Sequence, residues 1–507
     1  MSGENGREGL RDRPMFKDRI TELNDRPIRE GRYVLYWMQT SQRVRYNHAL
    51  EYTVAMANEL KLPPLVCFGL TADYPDASAR HFQFMLEGLE EVSAELEERD
   101  IAFTLRIGEP AGVAIDLARE AALVVCDRGY LSHLREWRRH VAEVIKAPLV
   151  EVESELAVPV EAVSTKQEYA ARTIRPKVHR VLGRYLVPVE AVEPISTLSD
   201  TPGGEDVGDV GGLLDKLKPA GNPGPVVEFF TGGAAEAHRR LRRFRDDRLP
   251  AYEENRSEPG LDVSSALSPY LHFGQISELE VALELGALEF VAGLEEGKGQ
   301  MKLKPGSVGM RTDSEQVASA RDAFLEELLV RRGLAHNYTW FARDYWTYNA
   351  LPDWARKTLA EHKNDERQWT YSSDELLAGQ THDEFWNAAM REMRVTGYMH
   401  NYMRMYWGKK LLEWHKDPEE AFEVTLSLNN TWFLDGRDPN SYANVAWIFG
   451  LHDRPWTERE VFGNVRYMNA NGLKRKFDMN AYLHKVEQLE KKTTRSTDES
   501  ETGSPQS

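Results

Sequence analysis

Five apolar runs, RYVLYWM, LPPLVCFGL, IAFTLRIG, ALVVCDRG and APLVEVES, alternate with helix-length segments through the first 160 residues. The helical segments lie near His48–Leu60, Ala79–Arg99, Ala111–Glu120 and Ser132–Ile145. This is the pattern of a parallel sheet covered on both faces, so it predicts a Rossmann-like α/β domain over residues 28–160 with a five-stranded parallel sheet. No G-x-G-x-x-G follows the first strand, so no dinucleotide is expected on the first helix N-terminus. Any ligand of this domain is expected at the carboxyl ends of the strands.

The patterning then changes. Residues 161–227, with VPVEAVEPISTLSDTPGGEDVGDVGG and KPAGNPGPV, are rich in Pro, Gly and Asp and lack sustained periodicity. They predict a long interdomain linker crossing the surface. From 228 to 490 helical periodicity is nearly continuous, as in EQVASARDAFLEELLVRRGLAHNYTWFARDYW, and an all-α second domain is expected. Residues 1–27 read as an N-terminal extension and the polar stretch 491–507 as a disordered tail. A length of 507 residues exceeds what one core supports, in keeping with two domains.

Composition closes off several functions. The only cysteines, Cys67 and Cys126, sit inside apolar strand-like runs, which excludes a disulfide framework, a Cys-ligated zinc and an iron–sulfur cluster. No metal site is expected. No apolar run of about 18 residues occurs, and MSGENGREGLRDRP is too charged for a signal peptide. A soluble intracellular protein with no membrane partner is therefore expected, cytoplasmic if the cell is prokaryotic.

The net charge of −17 argues against a polyanionic partner, but its distribution argues the other way. Between positions 454 and 476, Arg454, Arg459, Arg466, Lys474, Arg475 and Lys476 stand against only Glu458 and Glu460. That balance of six cations to two acids is a candidate nucleic-acid footprint, with a solvated surface as the alternative. A second cationic run, HRRLRRFRDDR at 238–248, reads as the exposed face of a helix.

Ten of the twelve tryptophans lie at or beyond Trp340, and core filling accounts for most buried tryptophans. Trp407 and Trp414 are seven apart, however, which puts them on one helical face about 10 Å apart along the axis, a spacing along which electrons can hop. SSALSPYLHFG offers serine hydroxyls and successive backbone N–H groups before a helix, either a pyrophosphate cradle or an ordinary cap. EELLVRR puts Glu327 and Arg331 at i and i+4, where the local pattern alone predicts a surface ion pair. Asn429, in LNN, reads locally as a turn residue.

Several separated motifs, in order, resemble the photolyase/cryptochrome family, and class II cyclobutane pyrimidine dimer photolyases in particular. YVLYWMQTSQRVRYNHALEYTVAMANEL is similar to the class II opening segment, and SSALSPYLHFGQIS is similar to the family's flavin phosphate-binding loop. The sequences around Trp386, Trp407 and Trp414 resemble a class II tryptophan chain, and the likeness covers nearly the whole protein. It implies an α/β antenna domain followed by an all-α FAD-binding catalytic domain. It also implies light-driven repair of pyrimidine dimers in UV-damaged DNA; a single active site within one chain makes a monomer the expected state.

By the same resemblance, Ser264, Ser265, Ala266, Leu267 and Ser268 line the FAD diphosphate with Tyr252 nearby. Arg331, Asn401, Arg404, Asp435 and Arg437 bind the flavin, and Asn429 sits by its N5. Trp407 is the ring nearest the flavin, Trp386 the intermediate and Trp414 the surface terminus. Glu327 hydrogen-bonds a base of the lesion, with Met405, Trp447 and Arg454 as further substrate contacts. Val330, Phe324 and Val445 stand where class I relatives carry tryptophans, which favours class II. An antenna chromophore, either a deazaflavin or a folate, is left open. A cryptochrome-like photoreceptor and a (6-4) photolyase, with His400 or His452 as its acid, are the alternatives.

Overall fold

Alternate side chains of the apolar runs do face opposite sides of one sheet. In the computed structural model, which describes residues 13–219, 223–295 and 313–502, the strands are β1 (Ile20–Glu22), β2 (Tyr33–Trp37), β3 (Pro64–Leu70), β4 (Ala102–Ile107), β5 (Ala121–Asp127) and β6 (Leu149–Val152). Val34 and Tyr36 of β2 pack with the helices His48–Leu60 and Ala79–Glu98. Tyr33, Leu35 and Trp37 pack on the other side with Pro110–Leu117 and Ser132–Val144. Burial on both faces is why β2 and β3 are apolar throughout instead of alternating with polar residues.

The sheet has six strands in the order β1-β6-β5-β2-β3-β4, and it is mixed. This corrects the expectation of five parallel strands. β2 to β6 are parallel to their neighbours, but β1 runs antiparallel to β6, with Ile20 opposite Val152. Ile20–Glu22 is three residues long and largely exposed, so it carries no periodic signal and becomes a strand only because the edge of β6 pairs with it. Arg19 locks it from behind by donating to the carbonyls of Leu156 at 2.9 Å and Ala157 at 2.6 Å. Residues 1–12 of the expected extension lie outside the described residues.

The expected linker contains three helices, Val160–Val163, Ala171–Leu182 and Val210–Leu217. Ile174, Val178, Val181 and Leu182 enter the core of the second domain, while Leu213 and Leu217 pack beneath the sheet domain. Pro176 interrupts ARTIRPKVHRVL and hides its apolar face from a local reading. At the other end, the helix Met479–Thr502 runs through most of the stretch expected to be a disordered tail, and residues 503–507 lie outside the described residues.

The second domain is helical, and short hydrogen bonds seat it on the first. Arg80 donates to the carbonyls of Trp432 at 2.7 Å and Arg394 at 3.0 Å, and Arg43 donates to that of Gly274 at 3.0 Å. Gly274 has φ +69°, and a Cβ there would stand 2.0 Å from the Thr40 carbonyl oxygen, so this close approach requires glycine. Two helices contain π turns, Phe244–Arg248 and Glu326–Arg331. No helix among the described residues is long and apolar enough to cross a membrane.

Candidate active site

The helix Asn401–Trp414 presents Asn401, Arg404, Met405 and Trp407 to a cavity of about 1010 Å³, whose opposite wall carries Asn429, Asp435 and, on the helix Pro439–Ile448, Asn440, Ser441 and Asn444. A second lobe of about 1140 Å³ is lined by Tyr252, the loop Ser264–Ser268, Phe324 and Glu327. The lobes share Ser268, Leu271, Arg332, Tyr398, Asn401 and Asn440, so they adjoin as one two-lobed cavity with Ser268 and Asn401 on the shared wall.

Two features of this cavity suit a large anionic, aromatic ligand. Arg404 and Asp435 make a bidentate pair at 2.8 and 3.0 Å, and Ser268 donates to Asp435 at 2.5 Å. Burial works against the Arg404 charge, but the Asp435 carboxylate outweighs it and raises the Arg404 pKa. In the other lobe, Ala266 has φ +52° and Leu267 is right-handed helical. Consecutive residues of opposite hand turn their N–H groups into one concavity, an arrangement that binds anions.

The structure rearranges the expectations around EELLVRR. The i, i+4 pairing of Glu327 with Arg331 does not form within the π turn Glu326–Arg331, because other partners hold the Glu327 carboxylate. Glu327 instead accepts from Tyr252 Oη at 2.7 Å and from Arg256 at 2.5 Å, while Arg331 lies 3.8 Å from Glu326 and over the ring of Trp447 at 5.9 Å. The arginine that lines both lobes is Arg332, held by Glu278 and Glu155. Local spacing gave no hint of Arg332. The sequence signal for this wall is the polar set Asn440, Ser441 and Asn444 on an otherwise largely apolar helix.

Arg437 also lies elsewhere. Its φ of +64° turns the side chain to the far side of the loop from Asp435, where it lines a separate cavity of about 840 Å³ with Gln39, Leu70, Tyr130, Glu155 and His272. That cavity sits at the carboxyl ends of the strands, where the switch-point rule puts a ligand. Burial lowers the Arg437 pKa to about 10.

The three indoles are core residues and neighbours at once. Trp386, Trp407 and Trp414 belong to one buried cluster. Trp407 lines the first lobe, Trp386 donates its N–H to the Trp407 carbonyl at 3.0 Å, and the Trp386 and Trp414 rings meet edge-on at 5.0 Å. Trp414 is only 3% exposed, however, so it is not the surface end that the resemblance implied.

Outside the cavity, a groove of about 950 Å³ is lined by Tyr402, Arg459, Arg466, Arg475 and Lys476. None of these four cations, nor Arg454, is in an ion pair among the described residues; Arg454 and Arg466 flank the exposed ring of Trp456 at 6.0 and 5.4 Å. The other cationic run is largely neutralised: Arg239 and Arg240 pair with Glu236, Arg245 with Asp246 and Glu284, and Arg248 with Asp262. Met405 lines the first lobe, and Trp447 is half-buried on the helix beside it.

Comparison with known proteins agrees with this architecture. The DNA photolyase family pattern matches residues 34–195. A deoxyribodipyrimidine photo-lyase from Methanothermobacter thermautotrophicus is 42% identical over 475 residues, covering 93% of this chain and 98% of that protein. The fold is that of a bacterial class III photolyase from Agrobacterium tumefaciens, with a TM-score of 0.65 at 19% identity over 90% of this chain and 87% of the other. An archaeal photolyase from Sulfolobus tokodaii, solved with two FAD molecules, gives a TM-score of 0.62 at 18% identity over 89% and 88% of the two chains. With 42% identity across nearly all of both sequences, this chain belongs to the DNA photolyase family.

Proposed function

We propose that this protein repairs cyclobutane pyrimidine dimers in DNA with light, using FAD held in the two-lobed cavity. The observation that carries the reading is that one lobe brings Trp407, Arg404, Asp435 and Asn429 together while the lobe joined to it ends in the Ala266–Leu267 concavity. A two-lobed cavity with an anion cradle at one end and a polar, indole-lined chamber at the other fits a folded FAD. FAD, when bound reduced and excited by light, supplies the electron that opens the cyclobutane ring.

The chain's own residues position and insulate that chemistry. The N–H groups around Ala266 and the hydroxyls of Ser264, Ser265 and Ser268 hold the diphosphate. Arg404 and Asp435 present opposite charges to the ring system, which satisfies a buried pair that would otherwise be costly. Asn429, whose amide donates to Asn430 at 3.3 Å, offers both donor and acceptor to a ring nitrogen whose protonation changes. Glu327 stands at the mouth of the second lobe, able to exchange Arg256 for a pyrimidine carbonyl. The groove from Arg459 to Lys476 takes the DNA backbone, and the lesion leaves the stack to enter the cavity; photolyases are among the named examples of base flipping.

We assign the protein to class II because Val330, Phe324 and Val445, all buried, replace class I tryptophans, and Phe324 and Val445 form cavity walls. The cavity that Arg437 lines is the candidate site of an antenna chromophore, and absorbance of the purified holoprotein distinguishes a deazaflavin from a folate. One chain contributes the whole two-lobed cavity, which supports action as a monomer, in the cytoplasm if the cell is prokaryotic. Illumination of the full-length protein with a reductant and a thymine-dimer oligonucleotide tests the function. Loss of dimers with bound flavin is expected, and a flavin-loaded protein that leaves the dimers intact refutes it.

A further inference from the structure

Trp414 is buried, yet an exposed indole lies one ring beyond it. Trp414 meets His382 at 5.8 Å between ring centroids, and His382 stacks on Trp369 at 4.5 Å with the planes 19° apart. Trp369 is 45% exposed against 3% for Trp414. We propose that the relay ends at Trp369, reached across the stacked His382, and that a small thiol reductant refills it there. This rests on Trp407, Trp386 and Trp414 being the inner relay.

Two observations push a positive vacancy outward from Trp414. First, Trp369 and Trp414 line one groove with Glu366, Glu413 and Glu460, and Trp369 is far the more exposed ring, so a cation on it sits in water beside carboxylates. Second, desolvation lowers the His382 pKa, and a neutral imidazole puts no opposing charge between the two indoles.

The electron count closes. One electron passes from Trp369 to oxidised Trp414, restoring the inner indole and leaving a radical cation on Trp369. That ring releases its N–H proton to water. A thiol entering the groove then returns a hydrogen atom, one electron and one proton, and leaves as a thiyl radical. Tyr371 is the competing terminus, because its ring is 4.9 Å from Trp414 and its hydroxyl bonds His382.

The test uses flavin-loaded full-length protein without DNA, a short blue pulse, and transient absorption with electron paramagnetic resonance of the protein radical. Trp369→Phe should shorten the radical lifetime about tenfold and slow thiol-driven photoreduction to match. Trp369→Tyr should restore the lifetime and show a tyrosyl signal, which a merely structural role for the ring would not produce. Because the ring is partly exposed, replacing it opens no core cavity, and repair by dithionite-reduced protein should be unchanged. An unchanged lifetime in Trp369→Phe, or a shortening caused only by Tyr371→Phe, overturns the proposal. Trp407→Phe separates the two levels. If it abolishes the radical while Trp369→Phe does nothing, only the outer extension fails; if it leaves the radical yield intact, the inner relay fails too.

Discussion

Trp386 gives its indole N–H to the main-chain oxygen of Trp407, joining the helices Glu384–Thr396 and Asn401–Trp414 by a side chain of the proposed relay. Orientation of the intermediate ring is thus set by the backbone of the ring before it. Trp407 is fixed in turn by donating from Nε1 to the sulfur of Met390 at 3.0 Å.

Trp407→Phe should abolish light-driven reduction of the bound flavin while leaving repair by chemically reduced protein near the wild-type rate. Flavin absorbance under blue light measures the first and dimer loss the second. Equal loss of both would show that Trp407 shapes the cavity and does not conduct.

Trp386→Phe keeps an aromatic ring but deletes the N–H. The lost hydrogen bond should cost about 1 kcal/mol in urea unfolding, and photoreduction should slow severely because phenylalanine is far harder to oxidise. A variant of wild-type photoreduction rate would remove Trp386 from the route.

Asp435→Asn leaves the Arg404 guanidinium largely buried with no carboxylate. Breaking a buried pair on one side costs about 3–5 kcal/mol, part of it recovered here because the arginine retains the Met399 carbonyl at 3.0 Å. The variant should lose flavin on gel filtration and unfold at lower urea; a protein that keeps both properties would show that the pair is incidental.

Lys409 is buried, donates to the Ile448 carbonyl, and has its pKa lowered by burial from 10.5 to about 7. Between those values the unfolded chain binds more protons than the folded one, so stability from this group rises with pH, by at most about 1.4 kcal/mol per pH unit. Below pH 7 both states are protonated and the penalty is complete. Urea unfolding from pH 7 to 9 should therefore show a positive slope that Lys409→Met flattens; identical slopes would contradict the assignment.

Arg459→Ala and Arg466→Ala should weaken binding to damaged and undamaged duplex alike, each reducing the salt slope by about 1, as expected of phosphate contacts. Arg239→Ala, in the self-paired run, should change binding little. Fluorescence titrations at several salt concentrations distinguish the two cases.

Much of the architecture was legible in local pattern. β2 and β3 are wholly buried because they are apolar at every position, as is β5 up to Asp127, and Asn47 caps the first long helix by accepting from Leu50 N–H at 3.0 Å. The seven-residue spacing of Trp407 and Trp414 on one helix was equally local. β1 was illegible because three residues too short for any periodicity become a strand only beside β6, and Ala171–Leu182 was hidden by its internal proline.

The order of strands and helices, the cavity motifs and the candidate relay rings were set by the sequence itself, since periodicity and capping act over a few neighbouring residues. Tertiary structure alone decided that Arg332 and not Arg331 lines the cavity, that Arg437 turns to the other domain, and that Trp414 is largely buried while Trp369 is exposed. Each depends on a π turn, a left-handed residue, or rings from the segment around Trp369 and His382 folding over the helix end. A side chain's exposure is fixed by what packs on it from far along the chain, and local spacing does not carry that information.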